Sequence, residues 1–323
     1  MTATVRTVLG DVAPVSLGVV YIHEHLILDN PLIAREYPHI CLPSVDDAVS
    51  ELAPCAAAGV GAMVDAMPAA GGRHPDRLAE ISRRAGIAII ATTGLHTPKY
   101  YPHHRWALEA SVDDLTDLFV ADIEEGIDRF DYTGPVVDRT PHRAGIVKVA
   151  TPGAQLTDRD RRVFAAAVAS CLQTGAPLLT HCEDGLGAME QVVELERLRM
   201  PLHRVVLSHT DKVADRGYHR DLFQTGVNLE YDQALRHDPS GPDGTAALVA
   251  EAVSEGHVGQ LMLGSDGARR SLWTTYGGGP GLAWLYTGFR EALVERGIGA
   301  DQLEMMFVTN PQRFLTLADP PVR

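Results

Sequence analysis

Val19-Val20-Tyr21-Ile22-His23-Glu24-His25 is an apolar, β-branched run closed by two histidines one residue apart. The run predicts a buried strand, and strand geometry sends alternate side chains to the same face. Both imidazoles can therefore reach one metal ion while Glu24 points away. Seven further apolar runs recur along the chain: Gly61 to Val64, Ile87 to Ile90, Gly145 to Val149, Pro177 to Thr180, Val205 to Ser208, Val227 to Leu229 and Leu261 to Gly264. Between them lie longer segments with helical spacing, including Leu115 to Phe130, Asp158 to Thr174, Gly187 to Arg199 and Gly244 to Glu255, several followed by Gly where a helix stops.

Eight strand-helix alternations without a Pro/Ser/Gly linker predict an α/β fold, a single (β/α)8 TIM barrel with residues 1–323 forming one domain. A doubly wound sheet is the structural alternative, but no G-x-G-x-x-G follows the first strand. Val5 to Leu17, with Gly10-Asp11 in its middle, predicts an N-terminal β-hairpin outside the barrel. The insert Asp131 to Arg143 precedes the fourth barrel strand. That position assigns it to the N-terminal face, away from barrel chemistry, with a role in stability or subunit contact.

With 323 residues and 45% hydrophobic composition, the chain can bury a large core. A net charge of −14 without a basic stripe argues against nucleic acid or an anionic membrane as partner. No stretch approaches the roughly 20 apolar residues of a membrane span. The start MTATVRTVLGDVAPVS lacks the basic beginning and apolar core of a signal peptide, so a cytoplasmic location is expected. Cys41, Cys55, Cys171 and Cys182 form no C-x-x-C pair and are expected as reduced thiols. Cys182 follows His181 and by alternation faces the other way, as a packing residue.

A barrel of this kind places its chemistry at the C-terminal ends of its strands. The residues closing the apolar runs are His23 and His25 on the first, Lys148 on the fourth, His181 on the fifth, His209 on the sixth and Asp266 on the eighth. Taken singly, each has a plain reading as a core histidine, a helix cap or a snorkelling lysine. Together they converge on one rim. Imidazole and carboxylate suit Zn²⁺, with Mn²⁺, Co²⁺ and Fe²⁺ as alternatives, and the count exceeds the three protein ligands of one catalytic zinc. Two ions about 3.5–4 Å apart fit better. Asp211 either orients His209 and extends a proton path or is an exposed loop aspartate. His39, His74, His219 and His257 lie off the strand ends and are expected at the surface.

The chain resembles the phosphotriesterase family of the amidohydrolase superfamily through TVLG, LGVVYIHEHLILD, AGIVKVA, LLTHCEDG, VVLSHTD, GSD and the closing NPQRFL, over nearly its whole length. The resemblance implies that His23, His25 and Asp266 hold a more buried ion and that His181 and His209 hold a more exposed one. It also implies that Lys148, carboxylated by CO2 to N6-carboxylysine, bridges the two. A neutral amine has one lone pair, whereas a carbamate offers two anionic oxygens to two cations. A hydroxide bridging the ions would be the nucleophile, the exposed ion would polarise the substrate oxygen, and Asp266 would be the catalytic proton acceptor. A small-molecule substrate and a homodimer are further implications.

Substrate choice is expected in two loops, HTPKYYPHHRW (residues 96–106) and GARRSLWTTYGGGPGLAWL (residues 267–285). Tyr101, Arg269, Arg270 and Tyr276 are their candidate substrate contacts. Guanidinium forks beside a metal site suit a phosphate or carboxylate, although one of the two arginines is expected to pack or pair instead. The insert and the YGGGPGL loop resemble the branch that hydrolyses sugar lactones, including phosphorylated furanose lactones. That branch carries a basic residue after the seventh strand, for which Arg236 is the candidate. The leading expectation is thus a lactonase acting on an anionic lactone. The alternatives are an amide or N-acyl hydrolase, a phosphotriesterase and, outside enzymes, a metal-containing ligand-binding protein without turnover.

Overall fold

The computed structural model describes residues 3–238 and 241–319. The chain opens with an antiparallel hairpin, β1 (Val5–Thr7) and β2 (Gly10–Val12), whose turn is Val8-Leu9, with Gly10 as the first residue of the return strand. Every one of the eight apolar runs then forms a parallel strand: β3 (Val19–Glu24), β4 (Val60–Asp65), β5 (Ala88–Leu95), β6 (Ala144–Thr151), β7 (Leu178–Cys182), β8 (Val205–Ser208), β9 (Asn228–Tyr231) and β10 (Leu261–Leu263). They pair in sequence order from β3 to β10 and, with the surrounding helices, make the expected (β/α)8 barrel.

Side-chain alternation sorts these strands into two cores. Val20, Ile22, Ala62, Val64, Ile90, Ile146, Leu179, Val206 and Met262 fill the barrel interior. Their neighbours Tyr21, Met63, Ile89, Val147, Leu178, Val205 and Leu261 face the helices. On β3 strict alternation would turn His23 outward, since Ile22 points in. The pairing of β3 with β4 prevents this. Tyr21 opposes Met63 and Glu24 opposes Asp65, so β3 carries one extra residue in a bulge. The bulge lets Ile22 and His23 both serve the interior.

Barrel closure falls between β3 and β10. The His23 carbonyl accepts from Ser265 N–H at 3.2 Å and from Asp266 N–H at 3.1 Å. The buried Glu24 carboxylate accepts from Ser265 N–H at 3.0 Å, from Ser265 Oγ at 2.7 Å and from Gly267 N–H at 3.2 Å. Between β5 and β6, Gly94 (φ 101°) must be glycine, because a Cβ there would overlap the Lys148 carbonyl.

The helices follow local chemistry. The segment Asp158–Thr174 matches expectation at both ends: Thr157 and Asp160 form a capping box, and Gly175 ends the helix in the left-handed region. The segment expected over Leu115 to Phe130 is instead Val112–Glu124. Ser111 and Asp114 start it earlier with a second capping box, and Gly126 (φ 144°) turns the chain away.

The insert does not stay on the N-terminal face. His142 Nδ1 touches the Val8 carbonyl of the hairpin at 2.7 Å, so one end lies there, but the other climbs the flank to the opposite rim. The Asp131 carboxylate accepts from Ala70 N–H at 2.9 Å and Gly72 N–H at 3.0 Å, in the loop after β4. It also pairs with Arg73 at 2.9 Å, and Arg73 reaches Asp122 at 2.7 Å. The reason is electrostatic: a guanidinium buried beneath that loop requires carboxylates, and the insert supplies one.

Two stability measurements test these anchors. Glu24→Ala strands the Ser265 and Gly267 donors and is expected to cost about 3 kcal/mol or more in urea unfolding, with Glu24→Gln costing less. Asp131→Ala leaves Arg73 with one carboxylate and is expected to cost about 3–5 kcal/mol, a loss that a surface acid would not produce.

Candidate metal centre

All six residues expected at the metal site meet at the C-terminal rim. Lys148 Nζ lies 2.9 Å from His23 Nε2. Asp266 Oδ1 lies 3.4 Å from His25 Nε2 and 3.8 Å from His23 Nε2. His209 Nε2 lies 2.8 Å from His181 Nδ1. His209 and Asp266 follow their strands in the left-handed region, with φ of 64° and 43°. Such conformations are unfavourable for residues with a Cβ and persist only where the surroundings enforce them. Here His209 N–H is held by Asp232 at 3.0 Å, and the Asp266 peptide by the His23 carbonyl and by Arg236, which donates to the Asp266 carbonyl at 2.6 Å.

Carboxyl groups on the outer edges of the rings set which imidazole nitrogens face inward. His23 Nδ1 lies 3.1 Å from Glu230 Oε2, and His209 Nδ1 lies 2.7 Å from Asp232 Oδ2. Each carboxyl oxygen keeps a proton on Nδ1 and turns the Nε2 lone pair toward the cavity. His181 is arranged in reverse, with Nε2 on Glu183 at 2.7 Å and Nδ1 facing inward. The inward nitrogens of His181 and His209 are then two lone pairs 2.8 Å apart, an arrangement that a cation relieves. The donor set of imidazoles, carboxylate and lysine therefore fits divalent metal. Ligand-type atoms of His23, His25 and Asp266 lie within 4.8 Å of one another, as do those of His23, His209 and Asp232. The second group is backing: Asp232 lies on the Nδ1 edges of His23 (3.8 Å) and His209 (2.7 Å), turned away from Lys148.

Electrostatics agree with this donor set. Burial lowers His23 well below the usual imidazole range, and burial together with His209 lowers His181 to about 3, so both rings are neutral as ligation requires. Burial lowers the Lys148 ammonium to about 8 despite nearby carboxylates, which makes neutral amine accessible for carboxylation. Burial alone would raise the Asp266 carboxyl, yet Arg236 and the imidazoles hold it well below the usual range.

The site opens into a cavity of about 310 Å³ lined by residues that include Tyr37, His39, His96, Lys99, Tyr100, Lys212, Arg236 and Arg269. Arg236 lines it too and donates to Asp266 Oδ2 at 2.9 Å. Arg269 also lines it, whereas three other expected contacts do not. Arg270 stacks on Tyr276, 3.9 Å from the ring centroid, and donates to the Cys41 carbonyl at 3.2 Å, which occupies both side chains outside the cavity. Tyr101 is fully buried, accepting from His96 N–H at 2.7 Å and donating to the Ala69 carbonyl at 3.1 Å. Its neighbour Tyr100 takes the wall position.

Among histidines expected at the surface, His39 is exposed and also lines the cavity, whereas His219 is buried between the Val213 carbonyl and the Tyr231 hydroxyl. Asp211 is buried too. It accepts from Asp232 N–H at 3.0 Å, Gln233 N–H at 2.8 Å and Thr245 Oγ1 at 2.8 Å, so it braces the loop behind His209 and leaves the ring to Asp232. Cys182 is buried among outward-facing residues as expected. Glu230 and Asp232 escaped the sequence reading. Their signal was the same alternation at the end of LEYDQ, with one polar residue on every second position. His96 closes β5 by that rule, and Lys212 follows His209 by three residues.

A parallel barrel that gathers imidazoles, a carboxylate and a lysine on its C-terminal rim has the architecture of a metal-site barrel hydrolase. The chain belongs to the phosphotriesterase family, whose family model matches residues 3–315. It is 29% identical to a phospho-furanose lactonase from Mycoplasmopsis agalactiae, over 98% of this chain and 93% of that one. Among solved structures it resembles an amidohydrolase from Mycoplasma synoviae (TM-score 0.91, 27% identity, 98% of this chain and 93% of that chain). It also resembles a lactonase from Listeria monocytogenes (TM-score 0.88, 27% identity, 98% and 100%). These relatives support the lactonase branch of the family and identify the chain as a hydrolase. Among the described residues no helix is long and apolar enough to cross a membrane.

Asp232→Asn keeps the shape of the backing group and removes its charge. It is expected to weaken metal retention about 10–100-fold in a chelator competition while the thermal transition of the metal-free protein moves little.

Proposed function

We propose that this protein is a binuclear metal-dependent lactonase acting on a lactone that carries a phosphate or similar anion. His23, His25 and Asp266 hold one divalent ion, His181 and His209 hold the other, and carboxylated Lys148 lies between them. Zn²⁺ is the first choice for this donor set, with Mn²⁺, Co²⁺ and Fe²⁺ as alternatives. The observation that carries the anionic substrate is the cavity rim. Lys212 and Arg269 line it with no salt bridge among the described residues, in a chain of net charge −14. The other two rim cations are already engaged, Lys99 with Glu183 at 3.1 Å and Arg236 with Asp266. Two unpaired cations beside a metal site suit an anion held at a distance from the reacting bond. The similarity to phospho-furanose lactonases supports the same reading.

When bound, the ions supply an activated water and a polarised carbonyl oxygen. The protein's own groups do the rest. Lys212 and Arg269 hold the anion, and Tyr37 and Tyr100 contribute aromatic wall to the same cavity. Arg236 occupies Asp266 Oδ2, which leaves Oδ1, on the imidazole side, to take the proton released on attack and pass it to the departing ring oxygen.

Initial rates across phosphorylated and unphosphorylated sugar lactones, N-acyl amino acids and a phosphotriester test the reading, with protein reconstituted in Zn²⁺ or Mn²⁺ and bicarbonate. The expected outcome is metal-dependent preference for a phosphorylated lactone. Lys212→Met and Arg269→Met should each raise KM about 10-fold or more for that substrate and leave the unphosphorylated one unchanged. Turnover of only amides or phosphotriesters would overturn the lactone assignment.

A further inference from the structure

His96 closes β5, and none of the roles above uses it. It continues an inward series on that strand from Ile90, and its buried side chain lines the cavity. Its ring centroid is 4.8 Å from that of His181 and 4.4 Å from that of Tyr100, edge-on to the tyrosine. The peptide is clamped from both sides: His96 N–H donates to Tyr101 Oη at 2.7 Å, and its carbonyl accepts from Arg159 at 2.9 Å. The fully buried Tyr101 is thus the clamp that aims its neighbour's imidazole.

The orientation of that ring is set locally. His96 Nδ1 accepts from Thr97 N–H at 2.8 Å, with Thr97 Oγ1 at 3.2 Å. A nitrogen that accepts carries no proton, so the neutral ring keeps its proton on Nε2. Nε2 has no protein partner among the described residues and is not sealed from solvent, so it opens on the cavity that the ring lines. An Nε2 that carries a proton has no lone pair for a metal. His96 therefore differs in kind from His23, His181 and His209, whose outer nitrogens are held by carboxyl groups. It presents the cavity with a neutral, pre-aimed N–H donor.

We propose that His96 Nε2–H donates a hydrogen bond to the substrate oxygen that gains charge during ring opening, and does not ligate metal; this rests on the hydrolase reading above. Attack of water forms a C–O bond and moves the carbonyl π pair onto its oxygen. Collapse of that tetrahedral species breaks the ring C–O bond, and its electron pair leaves on the alcohol oxygen. The proton lost by the water goes to Asp266 and on to that alcohol, so His96 keeps its own proton throughout. A fixed donor of this kind is stronger toward the charged oxygen than toward the ground-state carbonyl, so it acts on kcat.

Two measurements test the proposal, one independent of turnover. In ¹⁵N-histidine-labelled, Zn²⁺-loaded protein, the His96 signals (assigned by their loss in His96→Gln) should show a protonated Nε2 and an unprotonated Nδ1. The Nε2–H signal should move on titration with inorganic phosphate. A proton on Nδ1, a metal-bound Nε2, or a signal unmoved at saturating phosphate overturns it. Kinetically, His96→Phe should lower kcat about 100-fold with KM changed less than about 3-fold, and His96→Gln should recover roughly 10-fold of that loss by restoring an N–H. Equal losses in both variants, an intact kcat, or an effect on KM alone overturns it. If the unmutated protein opens no lactone, the functional reading fails, and the resonance experiment decides His96 by itself.

Discussion

Closing the barrel and building the candidate metal site depend on one buried carboxyl group. Glu24 sits between His23 and His25 in sequence and accepts hydrogen bonds from Ser265 and Gly267, the residues on either side of Asp266. The first and last barrel strands are therefore clasped by the residue that separates two candidate ligands, on the residues that flank a third. Burial pushes its carboxyl up to about 8, against hydrogen bonds that pull it down. Such a group is tolerated only while its partners stay in place, so the rim geometry and the closure of the sheet stand or fall together.

Around that clasp, carboxyl groups set the direction of the site. Glu230, Asp232 and Glu183 lie on the outer edges of His23, His209 and His181 and turn their remaining nitrogens inward. Arg236 occupies one oxygen of Asp266 and leaves the other beside the imidazoles. Left-handed backbone at His209 and Asp266 is held by hydrogen bonds to Asp232 and His23. The strain is local, and the support comes from neighbouring strands, as expected for a site held rigid before a ligand arrives. Farther out, Asp131 reaches from the insert to hold the loop after β4, whose Met67 lines the cavity. The insert is thus part of the support of the rim.

The barrel was legible because strands buried on both faces must be short apolar runs, and helices between them carry their own stop signals. That the six candidate ligand positions share one rim was legible because chemistry at strand ends leaves polar residues where apolar runs stop. Substrate contacts were less so. Tyr100 and Tyr101 are adjacent and alike, and only the hydrogen bond from His96 N–H to the Tyr101 hydroxyl shows which one is packed away. Arg269 and Arg270 are likewise adjacent, and stacking on Tyr276 separates them. Loops lack the periodicity that reveals facing, so neighbours in a loop cannot be told apart by pattern.

By itself the sequence determined the eight strands, their order and the set of candidate ligand side chains, because periodicity and residue chemistry are local properties. Only the tertiary structure decided how those side chains are aimed. Alternation from Ile22 would have turned His23 outward, and the extra residue of β3 in its pairing with β4 brings it in. His209 faces the cavity because its backbone is left-handed, and Asp131 reaches the C-terminal rim because a buried Arg73 draws it there. Each of these depends on a partner far away in the chain, and a bulge, a strained dihedral or a buried ion pair exists only once that partner is in place.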